Sequence, residues 1–214
     1  MDTQLFLAAL KQATEAIGVP LTESQAAQCA HFAALVVETN QTLNLTRITE
    51  PEAMAVKHFA DSLTLLKAVP ELKYGARVCD VGTGAGFPGV PLKIVRPDLQ
   101  LTLVDSLRKR LNFLGDALET LEIPNVTLVH TRAEELKNAK FDLVTARAVA
   151  ALPKLITWCA PLIKPGGLFV AMKGVELEDD EGTVAKYGLT FIRQVEITLP
   201  DTESSRRNLL IWVK

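Results

Sequence analysis

The sequence has few features of chains that are held together by cross-links or embedded in membranes. Its three cysteines, Cys29, Cys79 and Cys159, lie far apart and lack the spacing of metal ligands. Two of them fall in apolar runs, so we expect small, reduced core residues of a cytoplasmic protein with no metal site. The first 18 residues contain an acid and a lysine within an amphipathic pattern, which is typical neither of a signal peptide nor of a membrane span.

A strong charge of either sign is also missing. The formal net charge is −2, with 48% hydrophobic and 22% charged residues, which is typical of a soluble globular protein. Any nucleic-acid surface must therefore be a local patch. The chain has neither internal repeats nor low-complexity segments, and its 214 residues suit one α/β domain with an appendage.

The chain is organised around the glycine-rich stretch DVGTGAGFPG, residues 80–89. The apolar run at 76–79 predicts a buried strand before it, and Pro88 and Pro91 suit the first turn of a helix after it. Glycines let the backbone adopt positive φ and approach a ligand closely. The pattern predicts a strand, a ligand-binding loop and a helix whose positive end faces the ligand.

This loop has two interpretations. Gly84, Gly86 and Gly89 satisfy the dinucleotide fingerprint G-x-G-x-x-G, which would suit an NAD-dependent oxidoreductase. Asp80, Gly82, Gly84 and Gly86 also fit the acidic-x-G-x-G-x-G loop of S-adenosylmethionine-dependent methyltransferases. A carboxylate at Asp80 can meet a ligand ammonium but would repel a pyrophosphate, which favours the methyltransferase. In a purely structural role, Asp80 would accept backbone N–H groups of the loop.

The first 70 residues are predicted to form a helical cap, joined to a domain over residues 71–214. Apolar spacing predicts a helix over 5–17 that is closed by Gly18. A capping box at 22–25 opens a second helix to about residue 37, followed by a polar connection at 40–47. A third helix is expected from Thr49 as N-cap, with Pro51 in its first turn.

From residue 76 onward, strand and helix patterns alternate, which predicts an α/β fold with a mostly parallel, Rossmann-like sheet. Strands are expected at 76–79, 101–105, 126–129, 141–145 and 168–172, and helices at 106–121 (with Ser106 as cap), 154–163 and 179–186. A turn signal occupies 164–167. Residues 190–199 and 208–213 are expected to form an antiparallel pair at the edge of the sheet.

Ligands of such sheets bind at the carboxyl ends of the strands. Asp105 ends the second strand, 21 residues after Gly84, as expected of an acid that holds ribose hydroxyls. Its structural alternative is a negative charge that stabilises the following helix. Ala133 and Glu134 follow the third strand, where an adenine could rest, although Glu134 fits an exposed first-turn residue equally well.

Arg147 ends the fourth strand among small residues and is the candidate catalytic residue. The Asn/Asp-Pro-Pro-aromatic clamp for an exocyclic nitrogen is absent here, and neither Cys79 nor Cys159 lies at this strand end to attack a pyrimidine. Guanine N7 fits what remains, because it has no proton to lose and needs only to be positioned. The structural alternative for Arg147 is a salt bridge to Asp80 or Asp142.

Two further groups of side chains have open roles. His58 and Asp61 could form a lip over the pocket with Asn44 and Arg47, but a hydrogen-bonded junction between helix and domain is favoured. Basic residues around the predicted ligand edge could contact RNA phosphates. They are Arg47, Lys57, Arg108, Lys109, Arg110, Lys173, Arg206 and Arg207. Residues 108–110 would also suit an ordinary solvated helix face.

Residues 80–92 closely resemble the glycine loop of the bacterial 16S ribosomal RNA guanine-N7 methyltransferase family (RsmG, formerly glucose-inhibited division protein B). Further matches lie at 44–46, 58, 61–62, 104–107, 109–110, 147–148 and 173–174. The family often has proline where Ala85 stands, and the alanine of this chain relaxes the loop only slightly. The PheProGlyValProLeu run after the glycines, residues 87–92, is the most diagnostic part of the match.

The resemblance implies a class I methyltransferase fold and methyl transfer from S-adenosyl-L-methionine to guanine N7 in the decoding-centre loop of 16S rRNA. It implies cofactor contacts by Gly82, Phe87, Ala133, Glu134 and Arg147, beside Asp80, Gly84, Gly86 and Asp105 from the loop and strand patterns. The expected partner is 16S rRNA within the small subunit or its precursor, and the expected state is a monomer. A small-molecule methyltransferase with the helices as a lid is the alternative.

Overall fold

Seven strands form a single sheet in the order β3-β2-β1-β4-β5-β7-β6. The computed structural model describes residues 1–136, 139–147, 150–173, 181–201 and 205–214, with residues 173 and 181–183 described by their backbone alone. The strands are β1 Arg77–Val81, β2 Gln100–Asp105, β3 Val126–His130, β4 Phe141–Arg147, β5 Ile163–Lys173, β6 Thr190–Thr198 and β7 Arg206–Val213. All seven predicted strands are therefore present.

The helices of the described residues alternate with the strands after an all-helical start. They are α1 Thr3–Ala16, α2 Glu23–Leu43, α3 Pro51–Met54, α4 Asp61–Ala68, α5 Gly89–Val95, α6 Arg108–Thr120, α7 Leu152–Cys159 and α8 Glu181–Lys186. A π-helical segment, Ala55–Ala60, joins α3 to α4, and 3₁₀ turns occupy Ala133–Glu135 and Ala160–Leu162. Residues 179–180 of the last predicted helix lie outside the described residues.

The directions of the strands bring the end of β5 and the start of β7 to the same edge of the sheet. Strands β1 to β5 pair in parallel, whereas β7 runs antiparallel to both β5 and β6. This confirms the mostly parallel sheet with an antiparallel pair at its edge. Because β7 is reversed, it begins beside the end of β5, where Lys173 pairs with Asn208. The strand order reverses between β1 and β4, where open α/β sheets bind ligands.

The N-terminal helices share one hydrophobic cluster with a face of the sheet. Phe32 of α2 contacts the ring of Phe87 at 5.6 Å between centroids, and Phe59 contacts Phe87 at 5.3 Å. Phe6 of α1 packs edge-on against Phe59 at 5.1 Å. The other face of the sheet is covered by α7 and α8. The division at residue 70 stays a prediction, since this cluster extends across it.

Several local predictions need correction. The capping box is present, with Thr22 and Gln25 bonded reciprocally, but α2 continues to Leu43 because that leucine packs on the core. Residues 40–43 are thus helical, and Asn44 in a left-handed conformation (φ 49°) ends the helix. Thr49 is not the N-cap of α3: Pro51 occupies the first position, so residue 50 is the cap.

Two further boundaries differ from the sequence prediction. Ser106 does not cap α6, which begins at Arg108 after Leu107 as N-cap. The turn signal at 164–167 lies within β5, because Gly166 takes φ 74° and donates its N–H to the Lys214 carbonyl at 2.6 Å. Glycine permits this conformation at little cost, so the strand passes through the signal.

Candidate functional site

A cleft of about 810 Å³ opens at the carboxyl ends of β1 to β4. This volume suits a small-molecule or cofactor site. Its lining includes six residues singled out from the sequence: Gly82, Asp105, Arg110, Ala133, Glu134 and Arg147. The cleft thus lies at the predicted ligand edge, but four predicted cofactor residues, Asp80, Gly84, Gly86 and Phe87, are not among those that line it.

Asp80 lies beneath the glycine loop and is 1% exposed. Its Oδ2 accepts hydrogen bonds from the Thr83 hydroxyl at 2.8 Å and from the Gly89 N–H at 3.0 Å. Its Oδ1 is buried with no hydrogen-bond partner among the residues that the structure describes, and burial raises the pKa of this carboxyl to about 6. The structural role considered from the sequence is thus present, while a contact with a cofactor ammonium stays a prediction.

The loop glycines have different reasons to be glycine. Gly82, Gly84 and Gly86 all have positive φ, at 72°, 59° and 99°. Gly82 lines the cleft, but a Cβ at Gly86 would lie 2.8 Å from Leu114 and 3.0 Å from Phe32. The structure therefore explains Gly86 by close packing with α2 and α6, and its predicted cofactor contact is not needed to account for it.

Asp105 ties the glycine loop to the start of α6. Its Oδ2 accepts the Gly84 N–H at 2.9 Å and its Oδ1 accepts the Leu107 N–H at 2.8 Å. Arg110 Nη1 lies 3.5 Å from Oδ2. A carboxylate oxygen can accept two hydrogen bonds, so Oδ1 of Asp105, which accepts one, retains capacity for a ribose hydroxyl while the side chain holds the loop. The structural and functional interpretations of Asp105 are compatible.

The far wall of the cleft comes from β3, the turn after it and α7. Ala133 is half-buried and Glu134 exposed, both in the 3₁₀ turn Ala133–Glu135. His130, at the end of β3, lies 3.0 Å from the Ser106 carbonyl through its Nε2. Trp158 of α7 also lines the cleft and was not identified from the sequence, because the strand-end rule does not extend to helices. The same rule applied to β3 would have found His130.

Arg147 reaches from the end of β4 to the N-terminal helices. Its Nη1 donates to Asp61 Oδ2 at 2.9 Å and to the Lys57 carbonyl at 3.4 Å, and Nη2 lies 3.5 Å from His58 Nδ1. Its guanidinium carbon lies 5.5 Å from the centroid of the Phe87 ring. The ion pair considered for Arg147 thus exists, but its partner is Asp61 rather than Asp80 or Asp142.

His58 and Asp61 form the hydrogen-bonded junction that the sequence favours. The His58 ring stacks on Phe87 at 4.6 Å and its Nε2 lies 2.7 Å from Thr46 Oγ1. Burial, followed by the charge of Arg147, lowers the pKa of His58 to about 4, so the ring is neutral at pH 7. Asp61 is buried and also accepts from Arg207 Nε at 3.0 Å. Phe87 therefore belongs to this junction and is itself buried.

The predicted basic residues divide into exposed and ion-paired sets. Those exposed are Arg47, Arg108, Lys109 and Arg206. Those paired are Lys57 with Asp201 at 3.7 Å, Arg110 with Asp105 and Arg207 with Asp61. The side chain of Lys173 lies outside the described residues. The exposed set is therefore the better source of phosphate contacts.

The cysteines are unsuited to covalent chemistry. Cys29, Cys79 and Cys159 are buried, and burial raises the pKa of each thiol, that of Cys29 to about 12. A thiol in this state is a poor nucleophile. Within the described part of the chain, no cluster of three metal-ligating side chains occurs. Over the same residues, none of the helices has the length and apolar character needed to cross a membrane.

The order and directions of the strands are those of the class I methyltransferase fold. A methyltransferase of this cofactor class from Aquifex aeolicus superimposes with a TM-score of 0.59 at 17% identity, covering 85% of this chain and 98% of that one. Precorrin-6y C5,15-methyltransferase from Geobacter metallireducens gives 0.54 at 19% identity, covering 78% and 90%. These likenesses concern the fold.

The sequence comparison identifies the family. The model of the family GidB, described as rRNA small subunit methyltransferase G, matches residues 25–210. Proteins named ribosomal RNA small subunit methyltransferase G are 47% identical in Lactobacillus helveticus, covering 89% of this chain and 84% of the relative, and 45% identical in Lactobacillus delbrueckii subsp. bulgaricus, covering 99% and 91%. The chain belongs to this family, and S-adenosyl-L-methionine is its cofactor.

The residues of the cleft fit this cofactor. Asp105 has acceptor capacity for a ribose, and Gly82 presents backbone without a side chain. Ala133 and Trp158 supply apolar surface to the opposite wall. The unpartnered Oδ1 of Asp80 lies beneath the loop as an acceptor that nothing in the described residues satisfies.

Proposed function

We propose that this protein transfers the methyl group of S-adenosyl-L-methionine to N7 of a guanine in 16S rRNA. The observation that carries the choice of N7 is the state of the groups around Arg147. His58 is a weak base, because burial lowers its pKa to about 4. Asp61 is engaged by two guanidinium groups. An acceptor that carries no proton suits such a site, and guanine N7 is one.

When bound, the cofactor supplies a methyl group on a sulfonium centre, which is electrophilic enough to be attacked by a neutral ring nitrogen. The residues of this chain bind and orient. We assign the ribose hydroxyls to Asp105 and the adenine side of the cleft to Ala133 and Trp158. Arg147 lies at the carboxyl end of β4 and limits where the acceptor base can lie. The rate enhancement then comes from alignment and proximity.

The RNA surface is proposed to be the set of exposed basic residues around the cleft. Arg108 and Lys109 open α6 next to Leu107 and Arg110, which line the cleft. Arg206 begins β7 at the same edge of the sheet. Arg47 follows Thr46, which lies beside His58. Their guanidinium and ammonium groups would contact phosphates and set the register of the RNA, whereas the cleft would select the base.

The proposal includes the form of the substrate and the state of the enzyme. We propose a cytoplasmic monomer that acts on 16S rRNA in the small subunit or its precursor. Incubation of the protein with methyl-labelled cofactor and either free 16S rRNA or unmodified 30S particles tests this. Label on one guanine, detected by cleavage chemistry specific for N7-methylguanine, is the expected result. The more rapidly labelled substrate identifies the natural form.

A matched substrate tests the acceptor atom. An rRNA with 7-deazaguanine at the mapped position lacks the nucleophilic nitrogen but keeps the remaining shape of the base. It should compete for binding and accept no methyl. Label on this substrate, or on another base of the normal rRNA, would contradict the assignment of N7. Label on small molecules of an RNA-free extract would favour a small-molecule methyltransferase.

A further inference from the structure

We propose that Asp61 is a positioning residue that fixes Arg147 in the cleft, with Arg207 as its second anchor. The inference rests on the proposed function only in the use made of Arg147 during methyl transfer. Independently of that function, the Asp61 carboxylate of the N-terminal helices sets the geometry of the cofactor cleft through Arg147.

Asp61 joins two strands that are not neighbours. It lies where the π-helical segment Ala55–Ala60 passes into α4, and it is 4% exposed. Its Oδ2 holds Arg147 from the end of β4 and its Oδ1 holds Arg207 from the start of β7. Strand β5 lies between β4 and β7 in the sheet. The carboxylate therefore bridges across the end of β5.

Among the described residues, Asp61 makes the shortest polar contact with Arg147. The Lys57 carbonyl and His58 Nδ1 lie at 3.4 and 3.5 Å, which are long for hydrogen bonds. A long arginine side chain loses much rotamer freedom when it is fixed. A charge-assisted bond at 2.9 Å to the buried Asp61 carboxylate offsets this cost. Without Asp61, the guanidinium would be free to leave its place beside Phe87.

Arg207 takes part because two guanidinium groups lie close together. Their mutual repulsion is relieved by the carboxylate between them, and burial makes both attractions stronger than they would be in water. Alternation along β7 separates Arg207 from its exposed neighbour Arg206, since successive side chains point to opposite faces. We therefore assign Arg207 to the anchoring of Asp61, and not to the phosphate-contacting set.

The test measures cofactor binding without RNA and the kinetics with RNA. Asp61→Asn keeps the shape of the side chain, but one arginine then faces an amide donor. The Kd and KM for S-adenosyl-L-methionine should rise at least about tenfold, because a buried partner of a charged pair is lost. Arg207→Gln should raise them by a smaller factor, and Arg207→Lys, which keeps the charge beside Asp61, should recover most of the affinity.

A double-mutant cycle separates positioning from a general structural effect. If Asp61 acts through Arg147, Asp61→Asn should add little to the Kd of an Arg147→Gln protein. Asp98→Asn is the matched control, because it removes a carboxylate 2.8 Å from Arg96 at the amino end of β2, far from the cleft. It should lower the thermal midpoint and leave the Kd for the cofactor unchanged.

The outcomes distinguish this inference from the proposed function. Wild-type affinity in folded Asp61→Asn, or a full tenfold loss in the Arg147→Gln background, would overturn the positioning role. If Asp61→Asn does not fold, Arg207→Gln and Arg207→Lys decide, and equal affinities of these two variants would refute it. A wild-type protein that binds the cofactor but labels no rRNA would refute the proposed function and leave the cycle interpretable.

Discussion

Replacing Asp80 with asparagine is expected to change how stability depends on pH. Asp80 is 1% exposed, and burial raises its pKa from 3.8 to about 6. A carboxyl whose pKa is higher in the folded protein favours folding only while it is protonated. Its contribution is complete below the unfolded pKa and is lost as pH rises through about 6. At 1.36 kcal/mol per pKa unit, the loss above pH 7 is about 3 kcal/mol.

The asparagine variant should escape this loss. Its amide oxygen can accept the same bonds from Thr83 and Gly89 that Asp80 Oδ2 accepts. Its amino group would take the place of the unpartnered Oδ1, at a cost of about 1–3 kcal/mol that does not vary with pH. The free energy of unfolding of the variant, relative to the parent, should therefore rise by about 2 kcal/mol between pH 4.5 and 7.5. Most of the rise should occur below pH 6.5.

Urea unfolding of the cofactor-free proteins at four pH values measures this difference. Asp98→Asn serves as the control of opposite sign. The hydrogen bond from Arg96 lowers the pKa of Asp98 to about 2, so its stabilisation is present above the unfolded pKa and is constant over the same interval. A difference between Asp80→Asn and the parent that is independent of pH would refute the reasoning. If Asp80 also meets the cofactor, the variant should bind S-adenosyl-L-methionine more weakly.

Three further predictions concern the cleft and the RNA surface. Asp105→Asn should weaken cofactor binding by about 1.5–3 kcal/mol, since charged acceptors of the ribose are lost; unchanged calorimetric affinity in a folded variant would remove Asp105 from the site. Arg206→Gln should reduce the slope of log affinity for RNA against log salt by about one unit, whereas Arg207→Gln should not; equal slopes for both variants would contradict the division between them. Single-turnover rates at saturating RNA and cofactor should be flat from pH 6 to 9, because N7 needs no base; a sigmoidal rise that is lost in a His58 variant would identify a base and a different acceptor atom.

The sequence predicts well what depends on neighbours in the chain. The glycine loop, the strands and the capping box of α2 follow from local spacing. Gly84 and Asp105, which are 21 residues apart in the sequence, are joined by a hydrogen bond in the structure. The predicted end of α2, near residue 37, was wrong because Leu43 packs on the core. A local sequence pattern does not contain that tertiary contact. Trp158 reaches the cleft from a helix whose position depends on the packed sheet.

The junction around Asp61 shows why the rest of the site could not be predicted. Asp61 and Arg147 are 86 residues apart, and Asp61 and Arg207 are 146 apart. The pattern around Arg147 singles it out as a functional residue, and Arg207 is grouped with the phosphate contacts, but neither segment identifies Asp61 as the partner. Only the reversed direction of β7 brings Arg207 to the edge where β4 ends. Ion pairs between residues this far apart in the sequence depend on the order and directions of the strands, which a local pattern does not contain.

The aromatic cluster of Phe32, Phe59 and Phe87 limits how this protein can be re-engineered. Phe87 belongs to the glycine loop, yet its ring contacts lie in α2 and in the segment before α4. Exchanging the first 70 residues for those of a relative would thus alter the packing under the cofactor loop, as well as Arg47 of the proposed RNA surface. A functional chimera would have to transfer Phe87 and the residues around Gly86 together with the helices. Substrate choice and cofactor geometry in this chain would then be inherited as one unit.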